Sequence, residues 1–295
     1  MVESRSFGRQ AFVAVNYVFL SALALMCILP LVNVLALSFS SNAAIEQGRV
    51  SLWPVEFSMF AYQHIAVAEP FRDSLLVSVQ RVFIGVSINF LLTLLTAYPL
   101  SRERSHFRMR TWYVWLFVFT MLFTGGLIPS YVVVKELGLL DSIWALVLPG
   151  AVPIFNVVLL LNFMRNLPKE LSEASWIDGA SHWQILWRIM VPLSLPALAT
   201  VTLFAVVGQW NEWFQGIIYM NDPSHYPLAS YLQTIIIQYD LTMISDVSQL
   251  VTLSKLNNRA IRAAQIFLGA LPVLLLYPFL QRYFMSGIVL GSVKE

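Results

Sequence analysis

Apolar runs, each long enough to cross a bilayer and repeated along the whole chain, constrain this sequence more than any other feature. A membrane-crossing helix needs about 20 mostly apolar residues. Such runs occur at Tyr17–Leu37, from Ser74 or Val82 to Leu100, and at Trp112–Val134, Ile143–Phe163, Leu193–Phe214 and Ala263–Phe284. Lipid offers the backbone no hydrogen-bond partners, so only helices or closed barrels can span it, and the polar alternation of a barrel is absent here. The expected fold is all-α, a polytopic membrane protein with six transmembrane helices. Composition agrees: 12% of residues are charged and 58% hydrophobic, against roughly 25% charged in a soluble domain. A soluble globule, a disordered chain and a collagen are excluded on that ground, and no nucleic-acid partner is expected. Cys27 is the only cysteine, which excludes a disulfide scaffold, and its apolar surroundings predict a buried thiol.

Lysine and arginine placement sets the orientation. With the N-terminus inside, Arg5, Arg9, Arg102, Arg104, Arg108, Arg110, Arg165, Lys169, Arg188, Arg282 and Lys294 fall in cytoplasmic segments. Arg49, Arg72, Arg81, Lys135, Lys255, Arg259 and Arg262 fall outside or at span edges, so the bias is eleven against seven. Both termini are therefore expected in the cytoplasm. Residues 1–16 form an N-terminal segment, 17–284 the membrane domain and 285–295 a C-terminal tail. Arg5 and Arg9 ahead of the first run mimic a signal peptide, but the run exceeds a usual h-region and others follow, which predicts an uncleaved span.

Three features inside the spans stand out. Gly125-Gly126 with Pro129 interrupts the third, and Pro149 with Pro153 interrupts the fourth; proline removes a donor and clashes one turn back, so these helices should kink or break. Arg81 is a charge within a span. It either snorkels to the outer surface or lines a polar cavity on a transport path.

Between the fourth and fifth runs, residues 166–192 read as two short helices rather than a plain loop. Pro168 suits a first turn, and Asp178-Gly179 closes the first helix because glycine tolerates a left-handed cap. Lys169 and Glu173 stand one turn apart and are expected to pair. Ser181 and Gln184 have the spacing of a capping box that starts the second helix. Pro192 marks the passage into the fifth run. Trp176, Trp183 and Trp187 either anchor this element at the bilayer edge or dock it. On the residues alone, an interfacial hairpin without a partner and an element that enters another protein both remain open.

The segment resembles the EAA motif of permease subunits in binding-protein-dependent ABC importers: Glu-Ala-Ala, three residues, Gly, nine residues, Ile, one residue, Leu-Pro. Here the pattern reads Glu173-Ala174-Ser175, Gly179, Ile189 and Val191-Pro192 with the spacing kept. It departs only at Ser175 and Val191. Asn211-Glu212-Trp213 and the stretch Leu280–Lys294 further resemble sugar-importer permeases of the MalG type, a fold also called MetI-like. The insert Asn221–Pro227 is similar to the branch handling oligosaccharides or polysaccharide fragments. The resemblance implies that Glu173, Ala174, Ser175, Asp178, Gly179, Ile189 and Pro192 belong to a coupling element entering a cleft of an ATPase subunit. It also implies a second homologous permease subunit, two ATPase subunits or domains that hold ATP and Mg, an external solute-binding protein and a saccharide substrate.

The chain lacks Gly-x-x-x-x-Gly-Lys-[Ser/Thr], the loop that cradles nucleotide phosphates. His64, His106, His182 and His225 are scattered over separate loops, so no metal centre is expected. Glu212 beside Trp210, Asn211 and Trp213 is one unpaired acid and not glycosidase geometry. As a sugar contact the cluster is chemically suited, since rings stack on pyranose faces while Asn and Glu bond hydroxyls; an interfacial aromatic anchor fits it equally. No cofactor and no catalytic residue is expected in this chain. A permease for a small non-sugar solute shares every feature above except the lining. A secondary transporter or channel requires buried ion-binding carboxylates or an internal repeat, and neither is present. A membrane scaffold would have no use for kinked helices.

Overall fold

The computed structural model describes residues 7–103, 105, 107–237 and 259–292. Arg5, Arg104, His106, Lys255 and Lys294, which entered the charge and histidine counts above, lie outside them. The described residues are predominantly helical, with no strand among them. The helices are α1 (Phe7–Ser38), α2 (Asn42–Glu46), α3 (Phe60–Val67), α4 (Glu69–Ser101), α5 (Arg110–Leu122), α6 (Leu127–Glu136), α7 (Ile143–Val147), α8 (Ile154–Arg165), α9 (Lys169–Ile177), α10 (His182–Ile185), α11 (Val191–Leu193), α12 (Leu195–Asn211), α13 (Phe214–Tyr219), α14 (Leu228–Ile237) and α15 (Arg259–Ser292).

The chain divides into two compact units, 1–68 with 236–271, and 69–235 with 272–295. In the first, α1 runs for 32 residues and begins at Phe7, inside the segment expected to precede the membrane. Its most apolar stretch is wholly exposed along the chain's own surface. Cys27 is exposed with it, which corrects the expected buried thiol: an apolar run in a membrane helix turns toward lipid or a partner, not toward a core. Ser41 accepts a hydrogen bond from the Ala44 N–H at 3.2 Å and so starts α2. Phe39 stacks on Tyr62 and Phe57 to close the turn beneath it.

The second unit is built around α4, which packs on α8 and α12. Its buried stripe includes Ser74, Ser78, Arg81, Gly85, Asn89, Thr93 and Ala97, three or four residues apart. The opposite face presents Leu76, Val79 and Phe83, the last 76% exposed. A soluble helix does the reverse. With lipid outside, apolar side chains gain nothing by turning inward, and small or hydrogen-bonding residues take the helix contacts. Toward one end of α4 a true apolar core forms from Leu94, Tyr98, Leu160, Met164, Ile185 and Met190.

Three helices, α1, α4 and the Arg259–Pro278 part of α15, are each long and apolar enough to cross a membrane. Three bent pairs bring the total to as many as six if each pair is one span. Residues 110–122 and 127–136 meet at 111°, 143–150 and 154–165 at 44°, and 182–193 and 195–211 at 83°. The third expected span is thus broken by a sharp bend at its glycine pair. Gly126, at φ +88°, takes a left-handed conformation that a side chain would oppose. The fourth breaks at Pro149–Pro153 as its prolines require. The expected tail from 285 onward is helical as far as Ser292.

Candidate functional site

The motif segment is built by local rules and then fixed by long-range contacts. Helix α9 ends in a Schellman motif: the Gly179 N–H bonds the Trp176 carbonyl at 3.0 Å, and the Ala180 N–H bonds the Ser175 carbonyl at 2.9 Å. That closure needs a left-handed residue, supplied by Gly179 at φ +77°. Ser181 and Gln184 form the capping box read from the sequence, with the Ser181 N–H donating to Gln184 Oε1 at 2.7 Å. A π-helical stretch, Leu186–Met190, carries Ile189, and Pro192 follows in α11 before the 83° bend.

One face of this element is nailed down. Ile185, Leu186 and Met190 join the core beside Leu160 and Tyr98. The Arg102 guanidinium lies 4.4 Å from the Tyr98 ring centre and 5.8 Å from that of Trp176. It also donates from Nη1 to Ser172 Oγ at 2.9 Å. Tyr98 Oη donates to the His182 carbonyl at 3.2 Å. Lys169 pairs with Glu103 and not with Glu173, which corrects the local pairing expected from the one-turn spacing. The bond to Glu103 holds the Lys169 ammonium above its ordinary pKa. The other face is bare: Glu173, Ala174, Asp178, Gly179 and Trp183 are exposed, and Ile177 is 87% exposed. Ser175 and Ile189 are half-buried, and Pro192 is exposed. A Cβ added at Gly179 would meet nothing within 4 Å in this chain. Of the three tryptophans, Trp176 points inward against His182 while Trp183 and Trp187 stay exposed.

The second sequence-derived group, Arg81, Trp210, Asn211 and Glu212, comes together where α12 ends. Arg81 does not snorkel; it is 1% exposed. Its Nε donates to Gln209 Oε1 at 3.0 Å, and its Nη1 to the Glu212 carbonyl at 2.9 Å. Its Nη2 reaches Gln215 Oε1 at 2.6 Å and the Leu146 carbonyl at 3.2 Å. Gln209 in turn donates to Asn89 Oδ1 at 3.3 Å, and Asn89 donates to the Gly150 and Ala151 carbonyls, both at 2.9 Å. Broken helices leave carbonyls without partners in a medium that supplies none. This ladder from α4 gives partners to carbonyls at two such breaks. A Cβ at Gly85 would come within 2.8 Å of the Gln209 side chain, so glycine is what admits Gln209 to the ladder. The Glu212 carboxylate caps α13, accepting from the Phe214 N–H at 2.9 Å and the Gln215 N–H at 3.2 Å. Trp210 is buried, whereas Asn211 is exposed. Asn89, Gln209 and Gln215 were not singled out by sequence reasoning. Their signal was present, as polar residues on one face of otherwise apolar helices. Among the described residues, no three His, Cys, Asp or Glu side chains come together to hold a metal.

Residues 74–289 match the model of the binding-protein-dependent transport system inner membrane component. The chain is similar to the polygalacturonan/rhamnogalacturonan transport system permease protein YtcP of Bacillus subtilis, with 42% identity over 94% of this chain and 96% of that one. It is also similar to protein LplC of the same organism, with 38% identity over 97% and 95%. The crystal structure of a bacterial ABC transporter involved in the import of the acidic polysaccharide alginate contains a chain that superposes with a TM-score of 0.84. The two share 31% identity over 96% of this chain and 100% of that one. A bare motif helix on a rigid foot, set among broken apolar helices, is thus explained by descent: the chain is a multi-pass membrane protein of the binding-protein-dependent transport system inner membrane component family, the permeases of ABC importers.

Proposed function

We propose that this chain is the transmembrane permease subunit of an ATP-driven importer for a saccharide, specifically an oligosaccharide or polysaccharide fragment. One observation carries the reading: the motif segment is fixed through one face and bare on the other, with Glu173, Ala174, Ile177, Asp178 and Gly179 exposed. A rigid, unpartnered face suits transmission of motion from a second protein. In this reading the chain crosses the membrane six times, each bent pair contributing one span, with both termini in the cytoplasm. Residues 1–16 and 285–295 flank a membrane domain, 17–284, whose segment 166–192 couples to the ATPase. Two ATPase subunits or domains hold ATP and Mg, a second permease subunit completes the pathway, and an external binding protein delivers the sugar. This subunit itself catalyses nothing and binds no cofactor. Closure of the ATPases pushes on α9, and the foot through Arg102, Tyr98 and Ile185 passes the push to α4 and α8. The relative named for polygalacturonan and rhamnogalacturonan, and the transporter that imports alginate, support a polymeric sugar as cargo. Asn211 and the exposed edge of Trp213 are the surface a sugar would meet, with Arg81 and Glu212 holding that turn in place from behind.

The test is copurification of the full chain with its ATPase, followed by hydrolysis in vesicles with and without sugar-loaded binding protein. The expected result is a stoichiometric ATPase whose turnover rises with loaded binding protein. Isolation of the chain without an ATPase, in a state that still transports, would overturn the reading.

A further inference from the structure

A cleft of about 460 Å³ opens beside the motif segment, where α4 and α8 end and α5 begins. Arg102, Arg110, Arg165 and Lys169 line it, with Glu103 and Glu173 as its acids. Glu103 is paired with Lys169, and basic side chains outnumber acidic ones in the lining. Nε and Nη2 of Arg102 are shielded from solvent and reach no acceptor. On the far side of Arg102 lies a second cleft, about 320 Å³, lined by Leu95, Pro99, Phe107, Trp183 and Leu186. A basic hollow and an apolar hollow therefore share one arginine as their wall. Both sit where three apolar helices stop, which is the depth of the lipid headgroups.

We propose that this pair of clefts seats an anionic phospholipid, its phosphate in the hollow of Arg102, Arg110 and Arg165 and an acyl chain against the apolar side. Phosphate oxygens are the acceptors that the fork of an arginine fits best. Basic pockets between membrane helices attract such headgroups, and the surrounding leaflet supplies the acyl chain at no cost in diffusion. The lipid would brace the foot of the motif segment, because Arg102 also holds Ser172 and Trp176. Nothing in this inference depends on which solute is carried.

The experiment is native mass spectrometry of the full chain in neutral detergent, titrated with phosphatidylglycerol or phosphatidylcholine of matched chains. The wild-type chain should retain phosphatidylglycerol preferentially. Arg165→Gln should weaken that retention about fivefold, as removal of one basic residue near an anionic surface predicts. Arg165 is exposed, so its variant should melt as the wild type does. Arg102→Gln should weaken retention at least as much. Arg188→Gln, an exposed arginine outside the cleft, should change nothing. Equal retention of the two lipids, or equal effects of Arg165→Gln and Arg188→Gln, would overturn the proposal. So would full displacement of the lipid by millimolar inorganic phosphate, which would assign the hollow to a free anion.

Discussion

The ladder around Arg81 and the motif segment around Gly179 are both polar interruptions of an apolar protein, yet they are finished in opposite ways. All three nitrogens of the Arg81 guanidinium meet acceptors inside the chain. The motif segment satisfies its own backbone with a Schellman turn and a capping box, then leaves its side chains facing outward. A closed polar network is an element of the fold. An open one, held rigid, is half of an interface. Variants in the first should therefore damage stability, and variants in the second should damage coupling while the protein stays folded.

The largest effect is expected at Arg81. Arg81→Met fills similar volume but strips partners from Gln209, Gln215 and two backbone carbonyls, at a cost of about 3–5 kcal/mol. Melting in detergent should fall by many degrees, and Arg81→Lys, with three donors on one atom, should restore only part of it. A stable Arg81→Met protein with impaired transport would break the comparison, because the arginine would then serve the path and not the fold. In the motif segment, Ile177→Asp should leave melting within about 0.5 kcal/mol of wild type, being a surface change. It should still lower affinity for the ATPase roughly thirtyfold, the loss of about 2 kcal/mol typical of an apolar anchor at an interface centre. Gly179→Asp adds a left-handed strain of about 1–2 kcal/mol, and any larger loss of stimulated hydrolysis belongs to the partner, since this chain leaves the space open. Measured binding equal to wild type for Ile177→Asp would mean that the bare face is not docked.

The smallest effect concerns a polar latch elsewhere. Asp141 accepts from the Asn221 and Asp222 N–H groups at 3.1 and 3.3 Å and from His225 Nδ1 at 3.0 Å. The His225 bond, helped by those amides, holds the carboxyl below its ordinary pKa, against a small opposing effect of burial. A depressed carboxylate contributes stability above its unfolded value, about 3.9, and loses it as pH falls through the folded one. Protection of the Asn221 and Asp222 amides, taken as the exchange rate relative to an unprotected amide at the same pH, should stay flat from neutral pH to about pH 4 and fall only below it. Asp141→Asn should lower that protection near neutral pH and approach the wild type at the acid end, where the wild-type carboxyl is protonated.

Much of this was legible in the sequence because the relevant physics is local. The apolar runs gave the helices, Ser181 and Gln184 formed the box their spacing predicts, and Gly179 closed α9 as a left-handed cap. What local reasoning missed depends on distant partners. Lys169 has Glu173 one turn away but binds Glu103, 66 positions earlier, because packing of α9 brings that carboxylate closer. Arg81 carries no sequence sign of whether lipid edge, cavity or Gln209 will receive it. Proline and glycine announced the breaks, but the difference between 44° and 111° is set by what each half-helix packs against.

The distance along the chain between Arg81 and its first side-chain acceptor has a consequence for biosynthesis. Gln209 is 128 residues downstream. At cellular elongation rates the interval is on the order of ten seconds. During it, α4 must enter the membrane bearing a guanidinium whose isolated insertion costs about 2.5–3.5 kcal/mol. The nascent segment is therefore a natural client for an insertase that shelters polar faces, and pausing translation between these two residues should trap it there.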